Sequence, residues 1–305
     1  MNALQVNNIS KSFAETHAVD GLSFEVNSGE IFAMLGPNGA GKTTTIRIAL
    51  DILKPDQGTI QVLGGPLTQD TKDRIGYLPE ERGLYREISV LECLAYLGTL
   101  KGIDIKTARR RADELLERVE LGPHKLKKVS ELSRGMQQKA QFIATVLHDP
   151  DLIIVDEPFS GLDPVNTKLI KEMLYEMKAQ GKTIIMSTHM MHQVEEMADR
   201  LLMMNHGRRV LYGPVDQVRE QFAMNAVYVE GQGDWMALPD VARAQVDGKA
   251  TELFLQEGVS PDDLLAQLAR DPAYQLTRFE VAVPSLNDIF ISVAKPERKE
   301  REGQA

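Results

Sequence analysis

The chain alternates between short continuous apolar runs and segments with a helical period. Three apolar runs, rich in β-branched residues and bounded by turn residues, predict strands that are covered on both faces. These runs are Ile31–Leu35, Leu152–Asp156 and Thr183–Thr188. Each is followed by a loop and then by apolar positions spaced near 3.6 residues, as in KTTTIRIALDIL and MMHQVEEMADRLL. This succession predicts an α/β fold with a mainly parallel core sheet.

Two other regions of the chain carry different patterns. Near the N-terminus, LQVNNISKSF and GLSFEVNSGE alternate apolar and polar residues, which predicts an antiparallel sheet with one face in water. Between residues 86 and 147, SVLECLAYLGTLKG and KTARRRADELLERVEL have helical spacing without a strand pattern. We therefore expect an N-terminal antiparallel β subdomain and a helical insertion over 86–147.

A separate small unit is expected after about residue 218. AVYVEG, ELFLQEG and YQLTRFEVAV have strand patterns, and PSLNDIFISVA is typical of a closing helix. SPDDLLAQLARDP predicts a helix with Ser260 at the N-cap, Pro261 at the first helical position and Asp263 three residues after the cap. The prediction is a large domain over 1–218, a small α+β domain over 219–294 and a disordered charged tail over 295–305.

Composition and charge exclude several classes of protein. The 305 residues are 43% hydrophobic, which is enough for a core, and the formal net charge of -9 argues against binding to nucleic acid. The single cysteine, Cys93, excludes an internal disulfide and cysteine-based zinc sites. We find neither a secretory signal nor a stretch near the ~20 apolar residues that span a bilayer. The sequence therefore predicts a cytosolic chain, whose membrane role would require a partner.

A phosphate-binding motif follows the first buried strand directly. GPNGAGKT at 36–43 fits G-x-x-x-x-G-K-[ST] and precedes a helical run. Its glycines let backbone N–H groups turn toward phosphate oxygens at a helix N-terminus. Lys42 is expected to reach the β- and γ-phosphates, and the Thr43 hydroxyl is expected to bind Mg²⁺. The motif residues are Gly36, Pro37, Asn38, Gly39, Ala40, Gly41, Lys42 and Thr43.

Polar residues also end the other two buried strands. A P-loop alone is compatible with kinases, GTPases, helicases and other NTPases. The second strand narrows this choice, because it ends in Asp156 and Glu157, at the sheet edge where open α/β sheets bind ligands. Asp156 is suited to Mg²⁺, and Glu157 is suited to polarise a water for attack on the γ-phosphate. His189 follows the third strand and is expected to contact the γ-phosphate or that water.

Together these motifs resemble the ATPase subunit of the ATP-binding cassette (ABC) family over residues 1–218. Residues 36–44, which include Thr44, resemble Walker A, and LIIVDEP resembles Walker B with Glu157 as the catalytic glutamate. SGLDP resembles the D-loop, with Asp163 as its nucleotide-contacting acid, and His189 resembles the switch histidine. The resemblance implies a P-loop NTPase of the ABC type that binds ATP and Mg²⁺, with Glu157, His189 and Lys42 in catalytic roles.

The remaining family motifs are present with substitutions. LSRGM at 132–136 resembles the signature, where the resemblance assigns nucleotide contacts to Ser133, Arg134, Gly135 and Met136, although the commonest pattern has glycine and glutamine at 134 and 136. Phe13 occupies the place of the aromatic residue that stacks on adenine.

Another substitution lies at the hinge to the helical insertion. Glu80 stands where the family usually has a glutamine, and its carboxylate could contact Mg²⁺ or its water while adding one negative charge. These variants and the C-terminal unit resemble a subgroup of bacterial and archaeal exporters, which includes sodium-efflux and multidrug systems.

The resemblance also implies partners. Ser133 and Gly135 begin a helix whose unpaired N–H groups favour an anion, and in the family this helix end faces the γ-phosphate held by the other subunit. A homodimer, or a heterodimer with a related ATPase, is therefore expected. Two chains would close around two ATP molecules and drive a separate integral membrane permease. This places the chain on the inner face of the cell membrane through the permease.

An ABC-type ATPase that acts on the ribosome or on nucleic acid is the alternative. Such proteins usually carry two cassettes or a long coiled-coil insertion between the Walker motifs. Here Lys42 and Asp156 are 114 positions apart and one cassette is present. Together with the acidic charge, this favours transport without a nucleic-acid partner.

Overall fold

The computed structural model describes residues 2–81, 83–222, 225–247, 250–256 and 258–294. It divides into two compact units, one up to Val215 and one from Asp216 onward. The tail predicted to be disordered, 295–305, lies outside the described residues.

Nine strands of the described residues form two sheets in the first unit. They are β1 (Asn2–Phe13), β2 (Thr16–Asn27), β3 (Ile31–Leu35), β4 (Gln57–Val62), β5 (Ile75–Leu78), β6 (Leu152–Asp156), β7 (Thr183–Thr188), β8 (Arg200–Asn205) and β9 (Arg208–Pro214). β1, β2 and β4 make an antiparallel sheet in the order β2-β1-β4. Burial alternates along parts of β1 and β2, as the sequence pattern predicts for a sheet with one wet face.

The second sheet is the core of the unit, with strand order β5-β6-β7-β3-β8-β9. Its first five strands are parallel, and only β9 is antiparallel to its neighbour. All residues of β3, β6 and β7 are buried, which explains their continuous apolar sequences. Because β7 lies between β3 and β6, the ends of these three strands meet at one edge of the sheet. Leu35 pairs with Thr188, and Asp156 pairs with Ser187.

Within the described residues, seven helices accompany these strands and an eighth begins at the last residue of the first unit. They are α1 (Lys42–Ala49), α2 (Gln69–Asp73), α3 (Val90–Thr99), α4 (Ile105–Arg118), α5 (Arg134–Val146), α6 (Pro164–Ala179), α7 (Met191–Met197) and, at the junction of the two units, α8 (Val215–Gln221). The predicted helical insertion contains α3, α4 and α5. Ser89, Asp104 and Ser133 cap these three helices by accepting backbone N–H bonds, which provides partners for donors that the helix leaves free.

The second unit is a small α+β structure. Its strands are β10 (Ala226–Gln232), β11 (Val241–Asp247), β12 (Ala250–Leu255) and β13 (Gln275–Val281), and its helices are α9 (Pro261–Arg270) and α10 (Leu286–Ala294). The strands form an antiparallel sheet in the order β11-β12-β10-β13. Its hydrophobic core joins Leu264 and Leu268 of α9 to Val227 and Leu253 of the sheet. The Ser260–Asp263 capping box begins α9, as predicted.

Secondary structure differs from the prediction between residues 198 and 202. The helical period of MMHQVEEMADRLL continues to Leu202, but α7 ends at Met197 and β8 begins at Arg200. Asp199 exchanges bonds with Ile31, since its N–H donates to the Ile31 carbonyl at 2.9 Å and its Oδ2 accepts the Ile31 N–H at 2.8 Å. Pairing with β3 therefore overrides the local helical preference. No helix of the described ranges has the length and apolar character needed to cross a membrane.

Candidate nucleotide site

The P-loop joins β3 to α1 through backbone conformations that only glycine adopts easily. Gly36 and Gly41 have φ of 155° and 101°, and a Cβ at either position would lie 2.3 Å from a backbone carbonyl oxygen, of Met204 or Ala18 respectively. Any other residue would therefore be strained and would collide with the chain at both positions. The loop delivers Gly41 to the N-cap of α1, where unpaired N–H groups are available to an anion.

Lys42 is buried at the first position of α1, with its Nζ donating to the carbonyls of Gly36 at 2.7 Å and Pro37 at 3.2 Å. Burial lowers the pKa of the Lys42 ammonium, and the charges of Glu157, Asp156 and Glu80 act in the opposite direction. The loop thus holds a desolvated cation among carbonyl oxygens, and phosphate oxygens would be stronger acceptors for it.

Asp156 connects the P-loop to two strand ends. The Thr43 hydroxyl donates to Asp156 Oδ2 at 3.0 Å, and the Ser187 hydroxyl donates to Asp156 Oδ1 at 2.6 Å. The carboxylate is buried, so these bonds compensate for its lost hydration. One hydroxyl and one carboxylate oxygen thereby converge beside the P-loop, and they are the hard oxygen ligands that Mg²⁺ prefers.

Glu157 and His189 lie in direct contact. His189 Nδ1 is 2.7 Å from Glu157 Oε1, and the His189 N–H donates to the same oxygen at 3.0 Å. The Thr188 hydroxyl donates to the other oxygen, Oε2, at 3.3 Å. Glu157 itself has φ of 50°, an uncommon conformation for a non-glycine residue. Its N–H donates to the Ser187 carbonyl, which holds this strained turn against β7.

A cavity of about 400 Å³ opens over these groups, within the volume range of small-molecule sites. Its walls include Lys42, Thr43, Asp156, Glu157 and the exposed Glu80. The remaining lining residues are Thr16, Ala18, Asn38, Gly39, Ala40, Gly41 and Thr44. Lys42, Asp156 and Glu157 therefore meet at one cavity, whereas His189 is not among its lining residues and contacts Glu157 instead.

Phe13 ends β1, with 46% of its surface exposed. Lys11 Nζ lies 5.8 Å from the centroid of the Phe13 ring and is paired with Asp56. The ring contacts a cation, yet it is exposed enough to stack on a base. The adenine contact stays a prediction.

The signature segment lies elsewhere. No residue of 132–136 is among the described residues that line the P-loop cavity. Ser133 caps α5 by accepting the Met136 N–H at 3.3 Å, and Ser133 and Arg134 are exposed, whereas Gly135 and Met136 are partly buried. A Cβ on Gly135 would make only ordinary contacts, the nearest at 3.5 Å to the Gly161 carbonyl. The chain's own packing therefore does not require glycine at 135.

Asp163 has a local structural explanation. It caps α6 by accepting the Asn166 N–H at 2.9 Å, and these backbone and side-chain bonds from Asn166 hold the pKa of the Asp163 carboxyl below its usual value. Its predicted nucleotide contact remains a prediction.

Three site residues were not singled out in the sequence. Ser187 and Thr188 contact the two acids, and the Gln138 amide donates to the Pro158 carbonyl at 3.2 Å, which links α5 to the loop after Glu157. The hydroxyl pair at the end of TIIMST was a usable signal, because strands covered on both faces are mostly apolar. Gln138 gave no such signal.

Comparisons with known proteins show which family this fold belongs to. The fold and the site define a P-loop ATPase. The ABC transporter family profile matches residues 19–160, and the profile of the ATP-binding protein DrrA1-3-like C-terminal domain matches residues 213–294.

Relatives and solved structures extend these matches. The uncharacterized ABC transporter ATP-binding protein YhaQ of Bacillus subtilis (strain 168) is 38% identical over 94% of this chain and 97% of its own length. Nod factor export ATP-binding protein I of Sinorhizobium fredii (strain NBRC 101917 / NGR234) is 34% identical over 98% of this chain and 88% of that protein. A solved ATP binding subunit of an ABC transporter superposes with a TM-score of 0.68, at 32% identity over 72% of this chain and 93% of that chain.

The chain belongs to the family of ABC transporter ATP-binding proteins. It is the ATP-binding, ATP-hydrolysing subunit of an ABC transporter. The predicted family and fold class are confirmed.

Proposed function

We propose that two such chains close around two Mg²⁺–ATP complexes and thereby drive a separate membrane permease that exports its substrate. One observation carries this proposal: the signature segment and the P-loop cavity are distinct surfaces of one chain. Ser133 and Gly135 lie at the N-terminal end of α5, which can bind an anion. They do not line the cavity that contains Lys42. A second chain would complete each cavity with its own Ser133 helix end.

ATP is the ligand that would drive closure. Hydrogen bonds to charged groups contribute about 1.5–3 kcal/mol each, and the γ-phosphate carries the charge that the Ser133 helix end would meet. ADP lacks this group, so only ATP has the differential affinity needed to favour the closed dimer. Hydrolysis would then reopen the dimer. The permease would therefore be coupled to a dimer that closes with ATP and opens after hydrolysis.

Mg²⁺ fits the oxygens beside the P-loop. Across the described ranges, no set of three or more His, Cys, Asp or Glu side chains is arranged to hold a metal. This agrees with an ion held by one or two protein oxygens, with phosphates and water completing its shell. Thr43 and Asp156 would hold it, and Glu80 would approach it or its water. When bound, Mg²⁺ neutralises charge on the phosphate oxygens.

Glu157 is the proposed base for hydrolysis. Its carboxylate would take a proton from water as the water oxygen bonds to the γ-phosphorus and the bond to ADP breaks. Lys42 would stabilise the charge on the phosphates. His189, which contacts Glu157 Oε1, would keep the base correctly positioned relative to the γ-phosphate. Phe13 would stack on adenine.

Export is supported by a relative. A protein that aligns with 98% of this chain is a Nod factor export ATP-binding protein. A separate permease as partner would place this chain on the inner face of the cell membrane.

Exchange of the base tests the enzyme part of the proposal. Glu157→Gln should bind ATP with unchanged affinity but hydrolyse it about 10²- to 10⁴-fold more slowly, the usual contribution of a general base. It should also accumulate as an ATP-bound dimer, measured by light scattering. Wild-type turnover in this variant would remove Glu157 from its proposed role.

Isolation of the full chain from membranes tests the transport part. A tagged chain should co-purify with a polytopic membrane protein. Purification with ribosomes or DNA, without a membrane partner, would favour the alternative ABC-type ATPase and contradict transport.

A further inference from the structure

The Thr188 hydroxyl contacts the Glu157 carboxylate oxygen that His189 does not. Glu157 Oε1 accepts both bonds from His189, whereas Oε2 accepts only the Thr188 hydroxyl among the contacts of the described residues. A carboxylate held at one oxygen alone can still rotate about its terminal torsion, which is broad and roughly two-fold. The second contact, at 3.3 Å, restricts this rotation.

Thr188 is itself held in place at several points. The residue is fully buried at the end of β7, and its branched side chain has few allowed χ1 values. The Met190 N–H donates to its oxygen at 3.1 Å. Because a hydroxyl has one proton, Thr188 can donate either to Glu157 or to Gln193 Oε1, which lies 3.1 Å away.

Gln193 connects this hydroxyl to α7. Its side chain is buried, and its Nε2 donates to the Met190 sulfur at 3.2 Å. This contact turns Oε1 toward Thr188. The hydroxyl therefore has a fixed position and two alternative acceptors, of which one is the proposed base and the other belongs to the helix after His189.

We infer that Thr188 is a positioning residue for hydrolysis, which aligns the Glu157 carboxylate through Oε2. This inference rests on the proposed role of Glu157 as the base. When Thr188 donates to Glu157, both carboxylate oxygens are held and the group has one orientation. When it donates to Gln193, Oε2 is freed and its lone pairs are available to a water proton.

Thr188→Val tests this role, because valine has nearly the same shape but no hydroxyl. We expect kcat for ATP to fall about tenfold, which corresponds to about 1.4 kcal/mol, while the KM for ATP changes less than about twofold. Thr188→Ser restores the hydroxyl and should recover most of kcat. An unchanged kcat in the valine variant, or no recovery in the serine variant, would overturn the inference.

Thr183→Val is the matched control. Thr183 begins the same strand, is buried, and accepts the Gly29 N–H at 2.9 Å, so its loss removes a similar bond that does not reach Glu157. This variant should retain kcat even if its melting temperature falls. An equal loss of kcat in both variants would mean that Thr188 acts only through the stability of β7.

The Glu157→Gln background separates this inference from the proposed function. If Thr188 acts through Glu157, adding Thr188→Val to Glu157→Gln should not lower the residual rate further. A further tenfold loss would overturn the positioning role while leaving Glu157 as the base. Full activity of Glu157→Gln alone would instead overturn the proposed function.

Discussion

Lys42 illustrates what a single residue must do at this site. Its ammonium is buried among the carbonyls of Gly36 and Pro37, and burial lowers the pKa of Lys42 while Glu157, Asp156 and Glu80 favour its charge. The triphosphate would supply the strong anionic acceptors that these neutral carbonyls replace. From this placement we propose that Lys42 contributes to phosphate binding rather than to the packing of α1.

We therefore expect Lys42→Ala to weaken ATP binding about 10- to 100-fold, since hydrogen bonds to charged groups contribute about 1.5–3 kcal/mol each. Isothermal titration calorimetry measures the change. Lys182→Ala is the control, because Lys182 pairs with Asp149 and Asp151 beside the opposite end of β7. Near-normal affinity in Lys42→Ala would contradict the role given to the P-loop lysine.

The part of the site that could be predicted from the sequence is the part that local motifs define. Lys42, Asp156, Glu157 and His189 follow buried parallel strands, and such strand ends meet at one edge by geometry alone. The contact of Thr188 with both Glu157 and Gln193 could not be predicted in the same way. It depends on the strained turn at Glu157 and on side-chain rotamers, which a sequence pattern does not determine.

At the scale of elements, α5 is joined to the edge strand β5 by a neutral histidine. His148 follows α5, and its Nε2 lies 3.1 Å from the Ile75 carbonyl. Its Nδ1 is buried with no hydrogen-bond partner among the residues that the structure describes. Burial, reinforced by the Lys101 charge, lowers the pKa of His148 to about 4.

This pKa predicts a loss of stability in acid. An unfolded histidine binds a proton near pH 6.5, while folded His148 stays neutral to about pH 4. The unfolded state therefore binds more protons between these values, and stability falls as pH falls through this window. Relative to His148→Gln, the wild type should lose up to about 3 kcal/mol of unfolding free energy between pH 6.5 and pH 4.

Urea denaturation of both proteins at several pH values measures this difference. Above pH 7 the difference between the two proteins should be constant, since His148 is then neutral in both states. A difference that stays constant down to pH 4 would show that His148 charges in the folded protein.

Elements were predicted best where the local pattern and the tertiary partners agree. β3, β6 and β7 are apolar throughout and buried throughout. The first residues of β8, Arg200–Leu202, continue the helical period of α7, and the pairing of β8 with β3 and β9 makes them a strand instead. The sequence does not predict β11, because VARAQVD contains only two β-branched residues, Val241 and Val246, and its strand depends on pairing with β12.

The whole molecule combines an ATPase unit with a small second unit. The family and the ATPase activity follow from relatives that align along nearly the full chain. A dimer is needed to complete the proposed site, because the Ser133 helix end lies outside the P-loop cavity. In the proposed dimer, the close approach of a phosphate held by a second chain would explain Gly135, which its own chain does not require.

Dimerisation of Glu157→Gln with added Ser133→Arg tests this central claim most directly. Sedimentation velocity with ATP should show a dimer for Glu157→Gln, and also for a control that adds Gln57→Arg at an exposed position of β4. The variant with Ser133→Arg should remain a monomer while its ATP affinity changes less than about twofold. Retained dimers, or loss of ATP binding by the monomer, would contradict the account, because Ser133 would then be dispensable or would serve its own P-loop.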